Sequence, residues 1–304
     1  MASRARTSAL QKEEQLIGLK LIPYGPNKVG KTVFGLTMAE RGPIGVVDTE
    51  GRHQWYTIPI EGAPARPWPY DQPRRIRPDL AMLTHNPTLQ AAFSSAHPIY
   101  LVQTVDLEKT RLATKAWNND PAIFGIDLDS GSIQWDMLMS TRDTSDERKA
   151  MLSWGPVKEW DKLYKIGLTG GNKHVLILAH AQEKLKMVKR PDGSNEFITE
   201  KIVPRLEKYS GHWADMVVTF DYPEGAKFPT MIVIDEGTGG AGGLRRGVKM
   251  ADPTFGKLLD RLGWIPPLNV EVTAEQADLA YRNKRETERA AAAASPATKQ
   301  GGVK

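Results

Sequence analysis

The run Gly25-Pro26-Asn27-Lys28-Val29-Gly30-Lys31-Thr32 carries the most specific chemistry in this chain. It has the spacing G-x-x-x-x-G-K-[ST], in which backbone N–H groups curl around phosphate oxygens. Gly25 and Gly30 remove the Cβ atoms that would block so tight a loop. A helix starting at Lys31-Thr32-Val33 would add the partial positive charge of its N-terminus. In such loops the lysine reaches the β- and γ-phosphates and the hydroxyl binds Mg²⁺. The spacing therefore predicts a nucleoside triphosphate with Mg²⁺, held by Gly25, Pro26, Asn27, Lys28, Val29, Gly30, Lys31, Thr32 and Val33. No base-specific motif separates ATP from GTP.

Hydrolysis needs more than a phosphate cradle, and three further positions supply candidates. The apolar run 123–129 (IFGIDLD) ends in Asp129, where a carboxylate can face the phosphates and help hold Mg²⁺. Asp127 shares its face by the strand period of two and competes for the role. The run 44–49 (IGVVDT) is followed by Glu50-Gly51-Arg52. Glu50 is the candidate to orient or deprotonate the attacking water. Asp48 is its alternative, and a solvated turn carboxylate is the plain reading of both. The run 175–179 (VLILA) leads into His180 and Gln182, candidates to sense the γ-phosphate or the water.

Composition closes off other chemistries. The chain has 304 residues and no cysteine, which excludes disulfides, thiolate zinc sites and a cysteine nucleophile. The histidines lack the spacing of a zinc motif. No apolar run approaches the roughly 20 residues that span a bilayer, and the N-terminal segment has no apolar signal region. A cytoplasmic setting is expected. Lys plus Arg total 41 against 36 for Asp plus Glu, a mild +5 that leans toward an acidic partner.

These groups need a scaffold. Near-continuous apolar runs at 16–24, 44–49, 99–106, 123–129 and 175–179 alternate with helix-like stretches at 31–41, 107–118 and 157–168. That pattern predicts an α/β fold with a mostly parallel sheet flanked by helices. Residues 216–235 read as an antiparallel hairpin at one edge. One domain is expected over 15–265. Polar tails at 1–14 and 266–304 are expected to be largely disordered, the second with some helix. A Pro-rich insertion at 53–97 is expected to lack regular interior structure. The polar stretch 182–200, with Pro191-Asp192-Gly193 as a turn signal, reads as a mobile hairpin or loop.

The ordered set GPNKVGKT, VVDTEGR, IDLDSGSIQW, SWGPVKEWDKLYKIG, HVLILAHAQEK and WADMVVTFD resembles the RecA-like ATPases of bacteriophages. It is most similar to the phage AAA-type nucleotide-binding family that includes RecA-like single-strand annealing proteins. The resemblance spans residues 16–262. It implies a RecA-like P-loop core, ATP hydrolysis with Mg²⁺, and action on single-stranded DNA in recombination or annealing. By position it makes Lys31 and Thr32 the P-loop residues, Asp129 the Walker B carboxylate and Glu50 the catalytic carboxylate. Self-assembly into a ring or filament follows, with a single-strand-binding protein as a further partner. A helicase-loading or protein-remodelling ATPase, or a nucleotide-binding switch with negligible turnover, remain alternatives.

DNA contacts are expected on two basic segments. Arg66, Trp68, Arg74, Arg75 and Arg77 interleave charge with an aromatic ring in the insertion. Lys184, Lys186, Lys189 and Arg190 follow the sensor strand, where RecA-like proteins carry a DNA loop. Solvated loop arginines and a solvated basic hairpin are the plainer readings. Arg245 and Arg246, after the Gly-rich 237–243, are candidates to reach a neighbouring copy's γ-phosphate.

Overall fold

The computed structural model describes residues 18–60, 74–80, 86–94, 96–190, 194–207, 210–236 and 244–264. Six strands form its parallel centre. They are β1 (Lys20–Gly25), β2 (Ile44–Asp48), β5 (Ile99–Gln103), β6 (Gly125–Asp129), β7 (His174–Lys189) and β9 (Met216–Asp221). Their spatial order is β9-β1-β7-β6-β2-β5, all neighbours parallel. The sheet ends in antiparallel strands on both sides. Beyond β9 lie β10 (Thr230–Glu236) and β11 (Lys249–Ala251). Beyond β5 lie β4 (Arg74–Pro78) and β3 (Thr57–Pro59).

The sheet is buried on both faces, which explains the unbroken apolar runs. Adjacent residues of one strand enter opposite core layers. Leu21, Val46, Leu176 and Leu178 pack on one side with Phe34, Leu36, Phe255 and Leu258. These come from α1 (Lys31–Leu36) and α7 (Phe255–Leu262). Ile22, Val47, Ile126 and Ile177 pack on the other side with Ala113, Trp117, Tyr164 and Leu168. These come from α3 (Leu107–Asn119) and α6 (Trp154–Thr169). The described residues also include three shorter helices: α2 (Pro87–Ser94), α4 (Gly131–Ser140) and α5 (Glu147–Leu152). No helix among the described residues is long and apolar enough to cross a membrane.

The expected α/β class is borne out, with local corrections. The helix read at 31–41 ends at Leu36 and tightens into a 3₁₀ turn over Thr37–Glu40. Thr37 Oγ1 donates to the Phe34 carbonyl and accepts from the Phe255 amide, competing with the helical pattern. The antiparallel hairpin read at 216–235 is present as β9 and β10 on one side of the sheet, with the three-residue β11 added beyond β10. The insertion is more regular than its prolines suggested. β3 and β4 extend the sheet, with Pro59 and Pro78 at strand ends, where a missing N–H is tolerated. Residues 61–73 lie outside the described residues, and so do the two tails.

Of the two readings of 182–200, hairpin or loop, the structure has the hairpin. β7 does not stop at the sheet but runs on to Lys189 and pairs with β8 (Asn195–Pro204). The result is a two-stranded antiparallel ribbon, longer than the polar stretch suggested, leaving the carboxyl edge of the sheet. Its turn, 191–193, is outside the described residues.

Candidate functional site

The Gly25–Thr32 loop, the candidate phosphate loop, joins the end of β1 to the start of α1. Gly30 has φ 88° and Lys28 φ 64°, left-handed values that tilt successive amides toward one point. Lys31 is buried, and its Nζ donates to the carbonyls of Gly25 at 2.9 Å and Pro26 at 2.6 Å. Burial pushes this ammonium down to about 8, against the opposing pull of Asp129.

Thr32 Oγ1 donates to Asp129 Oδ2 at 2.6 Å. This contact separates the two competing aspartates. Asp127 faces the same layer, but neither of its carboxylate oxygens has a hydrogen-bond partner among the described residues. Its carboxylate fills the space beside Gly35, where any Cβ would collide with it. Burial, and then the neighbouring Asp129 charge, pushes the Asp127 carboxyl well up, toward the neutral acid. Burial raises Asp129 as well, but His53 and the Thr32 hydroxyl oppose that rise.

Asp48 and Asp129 are register partners on β2 and β6, so the segments that follow them lie side by side. Asp48 acts as the organiser of its turn. Oδ1 accepts from the amides of Glu50, Gly51 and Arg52 at 3.0, 2.7 and 3.3 Å, and Oδ2 accepts from the His53 amide at 3.1 Å. Four amides and a buried His53 ring at 3.2 Å leave this carboxylate no freedom to act as a base. Burial would raise Asp48, but His53 and the amides outweigh it and hold the group below its usual value. Thr49 ties the turn to β6: its amide donates to Asp129 O at 2.6 Å, and its hydroxyl accepts from the Ser130 amide at 2.8 Å.

Glu50 is presented by that turn, with its side chain 10% exposed. Oε1 lies 2.7 Å from His180 Nε2, and Oε2 lies 2.5 Å from Arg52 Nε. Burial works to raise its carboxyl, yet His180, Arg52 and Ser130 together hold it below the ordinary value. His180 is placed by register: it pairs with Gly25 at the first residue of the phosphate loop. Its own amide donates to Ser132 Oγ at 2.8 Å. Gln182 does not join this group. It is exposed on the ribbon, where its amide reaches the Pro204 carbonyl at 3.5 Å.

The site therefore gathers Lys31, Thr32, Asp129, Glu50 and His180 at the carboxyl edge of β1, β2, β6 and β7. A chain search against protein-family models finds no match, and no curated protein matches either. Among solved structures, the chain is similar to the crystal structure of the RadB recombinase. That similarity has 13% identity and a TM-score of 0.40, and covers 76% of this chain and 86% of the other.

Two residues escaped the sequence reading. Arg52 holds Glu50, and His53 sits fully buried against Asp48. The sequence D-T-E-G does carry a signal for the first part of this arrangement, since Asp before such a turn favours an Asx cap. Nothing local announces His53. The remaining candidates are more dispersed. Arg74 and Arg77 are exposed on β4, and Arg75 is half-buried there. Arg66 and Trp68 lie outside the described residues. Lys184, Lys186, Lys189 and Arg190 are exposed on the ribbon, with Lys184 2.9 Å from Glu200 and Arg190 2.6 Å from Glu196. Arg245 and Arg246 are exposed in the turn between β10 and β11. Among the described residues no cluster of three or more His, Asp or Glu could hold a metal by itself.

Proposed function

We propose that this protein is a RecA-like P-loop ATPase that acts on single-stranded DNA, in recombination or annealing of the kind bacteriophages carry out. The observation that supports the ATPase reading is the Thr32–Asp129 hydrogen bond of 2.6 Å directly behind the phosphate loop. A hydroxyl and a buried carboxylate, at a helix N-terminus beside a lysine, make a donor set suited to a triphosphate with a divalent cation. Thr32 and Asp129 would hold Mg²⁺, which when bound neutralises charge on the β- and γ-phosphates.

The chain's own groups divide the work. The amides of the Gly25–Thr32 loop bind phosphate oxygens, and Lys31 exchanges its loop carbonyls for the β- and γ-phosphates. Glu50 accepts the proton of the attacking water. Its carboxyl, held below the ordinary value by His180, Arg52 and Ser130, is ionised at neutral pH, ready for that task. His180 positions Glu50 and joins it to the ribbon, so a strand held by Lys184, Lys186, Lys189 and Arg190 acts on the same carboxylate. Arg245 and Arg246 face outward, where a neighbouring copy in a ring or filament can meet them.

A second reading has its own support. Both oxygens of Glu50 are engaged, one by His180 and one by Arg52. A nucleotide switch with negligible turnover would keep them so. ATP hydrolysis with and without single-stranded DNA, alongside Lys31→Ala, tests the proposal. Turnover that rises with DNA and disappears in Lys31→Ala is expected. Lys31-dependent turnover indifferent to DNA points to a helicase-loading or protein-remodelling ATPase. Tight nucleotide binding without turnover leaves the switch.

A further inference from the structure

The β7–β8 ribbon is tied to the body at its foot, where Ala181 packs on the α3–α6 layer and the Tyr24 hydroxyl donates to the Ile202 carbonyl at 3.3 Å. Two strands alone are marginal in water unless a face is covered. Pairing register sorts the ribbon's side chains into two faces. Glu183, Leu185, Met187 and Lys189 alternate onto one face of β7. Ile202 lies opposite Glu183, and Phe197 opposite Met187, so both join that face. The Thr199 hydroxyl, opposite Leu185, donates to Glu183 Oε2 at 2.7 Å, as neighbours on one face can.

Leu185, Met187, Phe197 and Ile202 are each more than half exposed there. The opposite face differs. It carries Lys184, Lys186 and Arg190, with ion pairs to Glu200 and Glu196, and its apolar Val188 and Ile198 are less exposed. A contiguous exposed apolar patch marks a contact surface. The charges around this one say what it fits. Along β7 the apolar pair Leu185 and Met187 is bracketed by Glu183 at the foot and Lys189 near the tip. Neither charge has an ion-pair partner among the described residues. Read backwards, the series exchanges its signs. A second ribbon laid antiparallel on this face therefore sets Lys189 of each copy on Glu183 of the other, with the apolar side chains between. A parallel placement sets like charges together.

We infer that the apolar face of the ribbon is a self-association surface, which packs face to face and antiparallel on the same face of a second copy of this chain. The contact is isologous, so each copy contributes the same residues. Sheets packed face to face keep their strands within about 30° of alignment, which lets both charge pairs form. Lys184, Lys186 and Arg190 stay open on the other face, so the contact is compatible with DNA there. It rests on the ribbon alone and not on the nucleotide or DNA readings above. The face is smaller than the roughly 20–30 residues a side of a standard interface, so the dimer is reversible and concentration-dependent.

The test is sedimentation velocity on the full chain over a wide range of concentration, without nucleotide or DNA. The parent is expected to pass from monomer to dimer. Phe197→Asp, a charge in the middle of the face, is expected to raise the dissociation constant by about thirtyfold or more, the loss of a central anchor. Ile198→Asp, on the opposite face, is expected to leave it within about threefold, as outside a hot spot. Glu183→Lys and Lys189→Glu each set like charges together twice, and each is expected to weaken the dimer by about threefold or more. The double reversal is expected to restore it. Thermal melts check that each variant folds, and if Phe197→Asp does not, the charge reversals decide. A parent that stays monomeric overturns the inference. So does association unchanged in Phe197→Asp, equal loss in Ile198→Asp, or a double reversal no tighter than the single ones. Assembly indifferent to Phe197 sinks this inference and leaves the proposed function standing. A Phe197-dependent dimer without ATPase activity sinks the proposed function alone.

Discussion

Residues 174–179 and 181–189 belong to one strand, β7, but meet different surroundings. The first half runs between β1 and β6, with Val175, Leu176, Leu178 and Ala179 at 1% exposure or less. The second half has one neighbour, β8, and leaves Leu185 and Met187 more than half exposed. His180 is the joint between them, and it holds Glu50. The inner half is fixed by packing on two faces and hydrogen bonding on two sides. The outer half has hydrogen bonds on one side only, the marginal condition of an isolated hairpin. A rigid half next to a yielding one is the arrangement needed if events on the ribbon are to be felt at Glu50.

The largest effect should come from the joint itself. Glu50→Gln keeps the shape of the side chain and removes its capacity to take a proton. If Glu50 is the base, turnover falls by about 10²–10⁴-fold while nucleotide affinity stays within a few-fold, measured by steady-state hydrolysis and equilibrium binding. Unchanged turnover would remove Glu50 from the mechanism and leave its contact with His180 purely structural.

Packing sets the next effect. Leu176→Ala on the inner half deletes a side chain with no exposure, between β1 and β6. A loss of about 2–5 kcal/mol in unfolding free energy is expected from urea denaturation. A loss under about 1 kcal/mol would mean that the sheet centre can collapse around the gap, and the contrast between the halves would weaken.

The same contrast explains what the sequence could and could not disclose. Inner strands such as Val175–Ala179 and Ile44–Asp48 were legible because burial on both faces demands continuous apolar residues. The ribbon was legible only through its Pro191-Asp192-Gly193 turn, which left hairpin and loop both open, since a strand wet on both faces has no hydrophobic period to read. The phosphate loop was legible as a local spacing, and Asp129 as the polar end of an apolar run. The pairing of Glu50 with His180 was not, because 130 residues separate them and only the crossover order of β2, β6, β7 and β1 brings them together. Gln182 was misplaced for the complementary reason: it is only two positions beyond His180, but that is already past the edge of the sheet.

A pH experiment probes the charged end of the inner region. Burial lowers Lys31 to about 8 in the folded chain, so unfolding releases it to its ordinary value near 10.5. The charged ammonium is therefore disfavoured by folding below about pH 8, and this cost fades as pH rises toward 10.5. Binding a triphosphate needs the ammonium charged, so affinity should be flat below about pH 8 and fall about tenfold per unit above it. Calorimetry in buffers of different ionisation enthalpy should show uptake of one proton on binding near pH 9. A flat profile to pH 10 would mean that Lys31 stays fully charged without nucleotide.

The smallest effects belong to the outer half. Lys186 is exposed on the ribbon opposite Ile198, with no ion-pair partner among the described residues, whereas Lys184 is drawn toward Glu200. Lys186→Ala should change unfolding free energy by no more than about 0.5 kcal/mol, as for surface sites generally. If the ribbon carries DNA, the same substitution weakens single-strand binding a few-fold and lowers the salt slope by about 0.7, one phosphate contact's worth. Lys184→Ala should do less at equal salt, because Glu200 already offsets its charge. A double substitution that leaves both affinity and salt slope untouched would take DNA off the ribbon and leave His180 coupled to a surface with a different partner.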